Sequence, residues 1–164
     1  VRPVELPLLP AIEQAAGQRF GGTSEDWIVD DEGMGLEGFE HWFTHGKIWV
    51  AVEAADRPVG FAVARTIDGA AFVHELDVHP QHAGHRLGAR LIDAVSAWAK
   101  ACGYPAVTLS TFAEIPWNAP YYRRLGFRDL QEDELGPGLR QVRAEEQEHG
   151  LDIAHRLCMM RPVD

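Results

Sequence analysis

Apolar residues along this chain recur with two distinct periods, and the changes between them mark out its elements. Over residues 8–20, Leu8, Leu9, Ile12, Ala15, Ala16 and Phe20 fall near helical spacing, and Gly21-Gly22 stops the run. A second short helix is predicted over 36–44, where Leu36, Phe39 and Phe43 stand at i, i+3 and i+7 ahead of Gly46. The pattern then changes. Residues 47–53 (KIWVAVE), 58–66 (PVGFAVART) and 71–78 (AFVHELDV) are rich in β-branched and aromatic side chains, with turn signals at Ala55-Asp56-Arg57-Pro58 and Asp68-Gly69. Connections this short predict an antiparallel meander.

After His79-Pro80, a glycine-bearing turn leads into an amphipathic helix over 87–101. Leu87, Leu91, Ile92, Val95, Trp98 and Cys102 form its stripe, and Gly103 ends it. Residues 105–111 (PAVTLST) read as another strand, and strand, helix, strand in that order predicts a right-handed crossover with a parallel pair. A short helix over 121–125, a strand starting over 127–130, a polar helix over 139–149 and a last strand over 153–162 complete the chain. The expected fold is α/β: a mixed, mostly antiparallel sheet with one parallel crossover, flanked by helices.

Composition narrows the function. At 164 residues the chain is expected to be one domain, and 46 % apolar with 24 % charged residues is an ordinary globular balance. A net charge of −10 argues against nucleic acid, which is bound through cationic contacts to phosphate. Cys102 and Cys158 form no pairing motif and read as small buried apolar residues in a reducing compartment. No apolar run approaches the roughly 18 residues of a membrane span, and the first residues lack the apolar core of a signal peptide. A cytoplasmic protein, monomer or homodimer, with neither a nucleic-acid nor a membrane partner, is the expectation.

The most informative stretch is residues 78–92, VHPQHAGHRLGARLI. It carries no acid between Asp77 and Asp93, yet holds Arg86, Arg90, His82 and His85, a positive island in an acidic chain. Gly84 and Gly88 sit in a turn that feeds a helix, where backbone N–H groups and the helix dipole suit an anion. The evenly spaced His79, His82 and His85 lack an obvious fourth ligand on this turn, so no metal is expected. Further on stands Tyr-x-x-Leu-Gly-Phe, complete at residues 122–127.

Together these stretches resemble the GNAT superfamily of N-acetyltransferases. The first is similar to its acyl-CoA signature, Gln/Arg-x-x-Gly-x-Gly/Ala after a strand ending Val-x-Pro. Ala83 stands at the Gln/Arg position, Arg86 at the first glycine and Gly88 at the last. The second is similar to the superfamily's C-terminal motif. The resemblance covers residues 47–130 well.

It implies a GNAT-like fold and acetyl-CoA as co-substrate, with transfer to a small-molecule or peptide amine by direct attack in a ternary complex. It further implies cofactor contacts from Leu76, Asp77, Val78, Ala83, Gly84, His85, Arg86, Leu87, Gly88, Ala89, Asn118 and Arg124. A backbone N–H near Val78 would act as oxyanion donor, and Tyr122 would return a proton to the thiolate. Asn118 either caps the short helix or touches the cofactor. For the base that must deprotonate the incoming ammonium, Glu75 is the candidate, on the same strand face as Asp77 and opposite Leu76 and Val78.

Residues 21–46 carry seven acids, Glu25, Asp26, Asp30, Asp31, Glu32, Glu37 and Glu40, with Trp27, Phe39, Trp42 and Phe43 among them and no lysine or arginine. Either this is an acidic, aromatic wall for a cationic acceptor, or the acids face water while the aromatics pack. Two other functions fit the same turn: a non-catalytic acyl-CoA-binding domain of the same fold, and an unrelated nucleotide-binding module.

Overall fold

The computed structural model describes residues 1–164. Six strands form one sheet: β1 Lys47–Val52, β2 Pro58–Ile67, β3 Ala70–Val78, β4 Ala106–Phe112, β5 Arg128–Asp129 and β6 Arg156–Pro162. Their order is β1-β2-β3-β4-β6-β5. β1 is antiparallel to β2, β3 is parallel to β4, and β6 is antiparallel to both β4 and β5. The α-helices are α1 Leu9–Gly17, α2 Gly35–His45, α3 Leu87–Ala101, α4 Ala119–Arg124 and α5 Pro137–Glu148. This is the mixed sheet with a parallel pair that the pattern predicts.

The differences lie at element ends. The expected helix over 8–20 is a mosaic, with 3-10 turns over Pro3–Leu8 and Gln18–Phe20 flanking α1. Proline lacks a donor and is tolerated only in a first turn, so Pro7 falls in the 3-10 turn and Pro10 in the first turn of α1. The last strand starts at Arg156, because Ile153–His155 is a 3-10 turn whose Ala154 N–H is capped by Asp152 Oδ1 at 3.0 Å. Cys102 is exposed while Cys158 is buried. α3 ends at Ala101, so Cys102 lies past its last turn, and the buried stripe is Leu91, Ile92, Val95 and Ala99. No helix is long and apolar enough to cross a membrane.

The fold divides into two compact units: Val1–Arg65 with Glu75–Ala94, and Thr66–His74 with Val95–Asp164. The core of the first is Leu6, Leu9, Ile12, Phe39, Ile48, Phe61 and Val63. Phe39 meets Phe61 edge to face at 5.0 Å, and burying side chains of this size contributes about 1.5–3 kcal/mol each. In the same unit a Cβ on Gly60 would stand 3.0 Å from the Asp77 carbonyl oxygen and 3.4 Å from Val78 Cα. Glycine there lets the β2 backbone approach the end of β3.

The core of the second unit is Ile67, Phe72, Leu135, Leu139, Val142 and Cys158. The β2–β3 turn has positive φ at both central residues, Asp68 (50°) and Gly69 (73°), as a two-residue hairpin turn of the primed type requires. Asp68 also caps α5. Its Oδ1 accepts from Gly138 N–H at 2.8 Å and its Oδ2 from Leu139 N–H at 2.9 Å. The carboxylate lies so close that a Cβ on Gly136 would meet Asp68 Oδ2 at 2.5 Å. Further along α5, the Glu146 carboxylate accepts from Ser110 Oγ and from Arg156, each at 3.0 Å, which ties the helix to β4 and β6.

Candidate functional site

The end of β3 carries the carboxylates. Strand alternation puts Glu75 and Asp77 on one face, with Leu76 and Val78 on the other, all four half-buried. Asp77 holds its proton well above the usual carboxylate range, first because its carboxyl is withdrawn from water, then because the Glu75 and Glu13 carboxylates are near, with Arg19 opposing. The sequence singles out Glu75; Asp77, two residues on, is a carboxyl that holds its proton more tightly than usual.

Glu13, from α1, is the member of this cluster that sequence reasoning missed. Both of its oxygens accept from Met34 N–H at 3.1 Å. Gly33 (φ 67°) packs against it so tightly that a Cβ would lie 2.4 Å from Glu13 Cδ. Burial raises the Glu13 proton affinity, the Met34 N–H lowers it, and Asp31 raises it again. The one available signal was an acid placed directly after Ile12, a core position of the expected helix.

Six of the seven acids in residues 21–46 are exposed; Glu25 is buried and accepts from Trp27 Nε1 at 2.8 Å. Phe39 is fully buried and Trp42 lies under the Arg65 guanidinium at 5.2 Å, but Trp27 and Phe43 are exposed. The acids therefore mostly face water, while only part of the aromatic set packs away.

The turn after β3 continues the same unit. His79 N–H donates to Val59 O at 2.8 Å, and His79 Nδ1 accepts from Gln81 N–H at 3.2 Å. His85 Nδ1 donates to His82 O at 3.2 Å, and His82 Nε2 lies 3.8 Å from Glu53 Oε2. Ala83, Gly84, His85 and Arg86 are exposed, Leu87 half-buried, and Gly88 and Ala89 buried in the first turn of α3. Gly84 is left-handed at φ 81° with open space where a Cβ would stand. Arg86 is left-handed too, at φ 58°. Its carbonyl accepts the first helical bond, from Arg90 N–H at 3.1 Å, so Arg86 is the N-cap of α3.

In the second unit, α4 presents the tyrosine motif. Tyr122 is buried, with its ring 5.6 Å from that of Phe127. Its carbonyl accepts from Leu125 and Phe127 N–H, and Gly126 at φ 89° makes that reversal possible. The Leu-Gly-Phe part of the motif is thus the device that closes α4 and returns a phenylalanine onto the tyrosine.

Asn118 stands at the N-cap of α4 but makes no side-chain cap. Its Nδ2 donates instead to Thr111 Oγ1 on β4 at 2.9 Å, and its Oδ1 is buried without a hydrogen-bond donor. Of the two expected roles, side-chain capping is excluded. Thr111 carried no signal in the sequence. Arg124 is exposed, its guanidinium 5.7 Å from the Tyr121 ring centroid.

This arrangement of turn, helix start and tyrosine motif coincides with a known family. The model of the acetyltransferase (GNAT) family matches residues 11–127. The chain belongs to that family. Solved GNAT structures agree in fold. An acetyltransferase of the GNAT family from Staphylococcus aureus Mu50 aligns with a TM-score of 0.74 at 16 % identity over 100 % of this chain and 96 % of its own. The PaiA N-acetyltransferase of Thermoplasma acidophilum, in complex with coenzyme A, aligns at 0.71 and 15 % over 99 % and 95 %. The ribosomal-protein-S18-alanine N-acetyltransferase of Escherichia coli aligns at 0.61 and 15 % over 100 % and 91 %.

Within this GNAT chain, exposed Arg86 and Arg90 flank the start of α3. In the second unit, Asn118 Oδ1 is a buried acceptor without a donor.

Proposed function

We propose that this GNAT chain is an acetyl-CoA-dependent N-acetyltransferase acting on a primary amine. The observation that carries the reading is the turn between β3 and α3: two left-handed residues, Gly84 and Arg86, open onto a helix start in an acid-free window. That chemistry suits the diphosphate of acetyl-CoA, with Ala83, Gly84, His85, Arg86, Leu87, Gly88 and Ala89 around it. Leu76, Asp77 and Val78 would line the pantetheine arm. Asn118 Oδ1 is an acceptor for an N–H of the cofactor, and Arg124 a further cation for it.

Bound acetyl-CoA supplies a thioester carbonyl. The residues supply the proton transfers, and each role rests on its own surroundings. An alkyl amine arrives as ammonium, with a reference pKa of about 10.4. The Glu75–Asp77 pair accepts its proton; the raised proton affinity of Asp77 marks the pair as one that shares protons. As the amine nitrogen bonds to the carbonyl carbon, a backbone N–H near Val78 holds the oxygen. The C–S bond then breaks, the Tyr122 hydroxyl gives its proton to the sulfur, and the phenolate recovers a proton through water from the attacking nitrogen, which leaves as the neutral amide. Carboxylates at the end of β3, with exposed acids and aromatics over residues 21–46, favour a cationic acceptor.

Acetyl-CoA binding by calorimetry, followed by free-thiol release against a panel of amines, tests this. Binding with release dependent on an amine is expected. Binding without release for any amine would favour an acyl-CoA-binding domain, and no binding would remove the reading. Within it, Tyr122→Phe is expected to lower kcat about 100-fold while acetyl-CoA affinity holds within twofold; equal turnover would take Tyr122 out of the chemistry.

Asp77 gives a pH test. The folded chain binds its proton more tightly than the unfolded chain. The stability this group contributes is therefore complete below the unfolded value near 3.9 and is lost as pH rises through the folded value. Asp77→Asn escapes that loss. Its melting temperature is expected to rise above the parent's progressively from about pH 4 towards neutrality; a difference that stays flat with pH would contradict the buried proton.

A further inference from the structure

Two histidines on the last turns of α2 have no part in the acetyl-transfer reading. His41 and His45 stand four residues apart, so they share one face of the helix, and both are exposed. Their rings lie stacked, 20° from parallel, with centroids 4.4 Å apart. Trp42 meets the His41 ring edge to face at 4.7 Å, and the Arg65 guanidinium lies over Trp42 in turn. The pair is therefore packed into one arrangement, although it stands at the surface.

A hydrogen bond fixes the chemistry of His45. Its Nδ1 lies 3.0 Å from the His41 carbonyl oxygen. A carbonyl oxygen only accepts, so Nδ1 carries the proton and Nε2 keeps its lone pair. A metal-ligating histidine is set up in this way, its second nitrogen donating to a backbone carbonyl. The surroundings also suit a cation. The last turn of a helix carries the negative end of its dipole, and residues 21–46 hold seven acids with no lysine or arginine. Glu37 stands one turn before His41 on the same face, and the opposing charges are Lys47, two residues past His45, and Arg65.

Two imidazole nitrogens on one tetrahedral ion, each about 2.0–2.1 Å from it, stand about 3.3 Å apart. Rotation of the two side chains closes the difference from the ring separation without moving the helix. No group of three histidine, cysteine or acidic side chains is arranged to hold a metal, so water fills the other positions of the ion. We propose that His41 and His45 form a two-histidine chelate on α2 for a divalent transition-metal ion of the kind that takes imidazole, Zn²⁺, Ni²⁺ or Cu²⁺. The site is separate from the acetyl-transfer residues and stands whether or not that reading does.

The test titrates the full chain calorimetrically, free of coenzyme A and other thiols, with each of these ions and with Mg²⁺, which prefers oxygen. The parent is expected to bind Cu²⁺ most tightly and Mg²⁺ far more weakly than any of the three. His41→Gln and His45→Gln are each expected to lose at least about tenfold in Zn²⁺ affinity. His82→Gln, in the other group of histidines, is expected to match the parent. A double variant, Phe43→His with His45→Gln, keeps the number of histidines but sets them two apart on different faces, and is expected to bind as weakly as His45→Gln. Excess Zn²⁺ is expected to raise the melting temperature of the parent and not of the single α2 variants.

A parent that binds no transition metal, or binds Mg²⁺ as tightly as Zn²⁺, would overturn the site. So would single variants that bind Zn²⁺ like the parent, or a double variant that does. A loss in His82→Gln equal to that in His45→Gln would move the ion to the turn after β3 and overturn it too.

Discussion

Two helices of this chain begin in opposite ways. The start of α5 is closed by the chain itself: the Asp68 carboxylate sits on the N–H groups of Gly138 and Leu139, and glycines at 136 and 138 leave room for it. The start of α3 is preceded by an arginine, with a second arginine one turn later. Both caps rest on a left-handed residue that is not glycine, Asp68 at φ 50° and Arg86 at φ 58°. At α5 the strained residue brings the negative charge that a helix start needs; at α3 it brings the wrong sign. A helix start that is satisfied internally is structural. One preceded and followed by cations, as at α3, is where the proposed diphosphate would complete it.

That contrast can be broken most severely by giving α3 a cap of its own. Arg86→Asp places a carboxylate where the phosphate would sit. It is expected to weaken acetyl-CoA binding by about 100-fold or more, since a favourable charged contact becomes a repulsive one, while the apo protein melts higher than the parent. Calorimetry and a melt on the same sample decide it; undiminished affinity would mean that the anion binds elsewhere.

The reverse operation on α5 is smaller. Asp68→Ala removes two charge-assisted hydrogen bonds and is expected to cost about 2 kcal/mol, or about 4–8 °C in melting temperature, with acetyl-CoA affinity unchanged. A loss of affinity together with stability would show that the two helix starts are not independent. The smallest effect is expected from Arg90→Gln, about two- to threefold in affinity with a shallower salt dependence. A null result there would confine the cationic contact to Arg86.

What the sequence made legible follows the range of the forces involved. The body of α3 and the strands β1 to β4 follow from periodicity within a few residues, so their order and type were readable. The turn before α3 was readable for the same reason, since Gly84, Arg86 and Arg90 lie within one short window. The cap of α5 was not, because Asp68 and Gly138 are 70 residues apart and nothing local to either names the other. The position of Asn118 fits either a helix cap or a cofactor contact, and the cap fails because Thr111, on the preceding strand, takes its amide. Glu13 was hidden for a third reason: a single acid on a helix face is ordinary. Only the fold puts its carboxylate among Met34 N–H, Asp31 and Asp77.

The reach of the Asp68 cap has a consequence in chain statistics. The entropy lost on closing a flexible loop grows only with the logarithm of its length, about 0.6 kcal/mol per doubling. A contact spanning 70 residues is therefore scarcely harder to close than one spanning half as many. Asp68 acts as a non-covalent cross-link whose strength depends little on what the chain does between its ends. The intervening loops around β4 and α4 can lengthen or shorten with small effect on the start of α5.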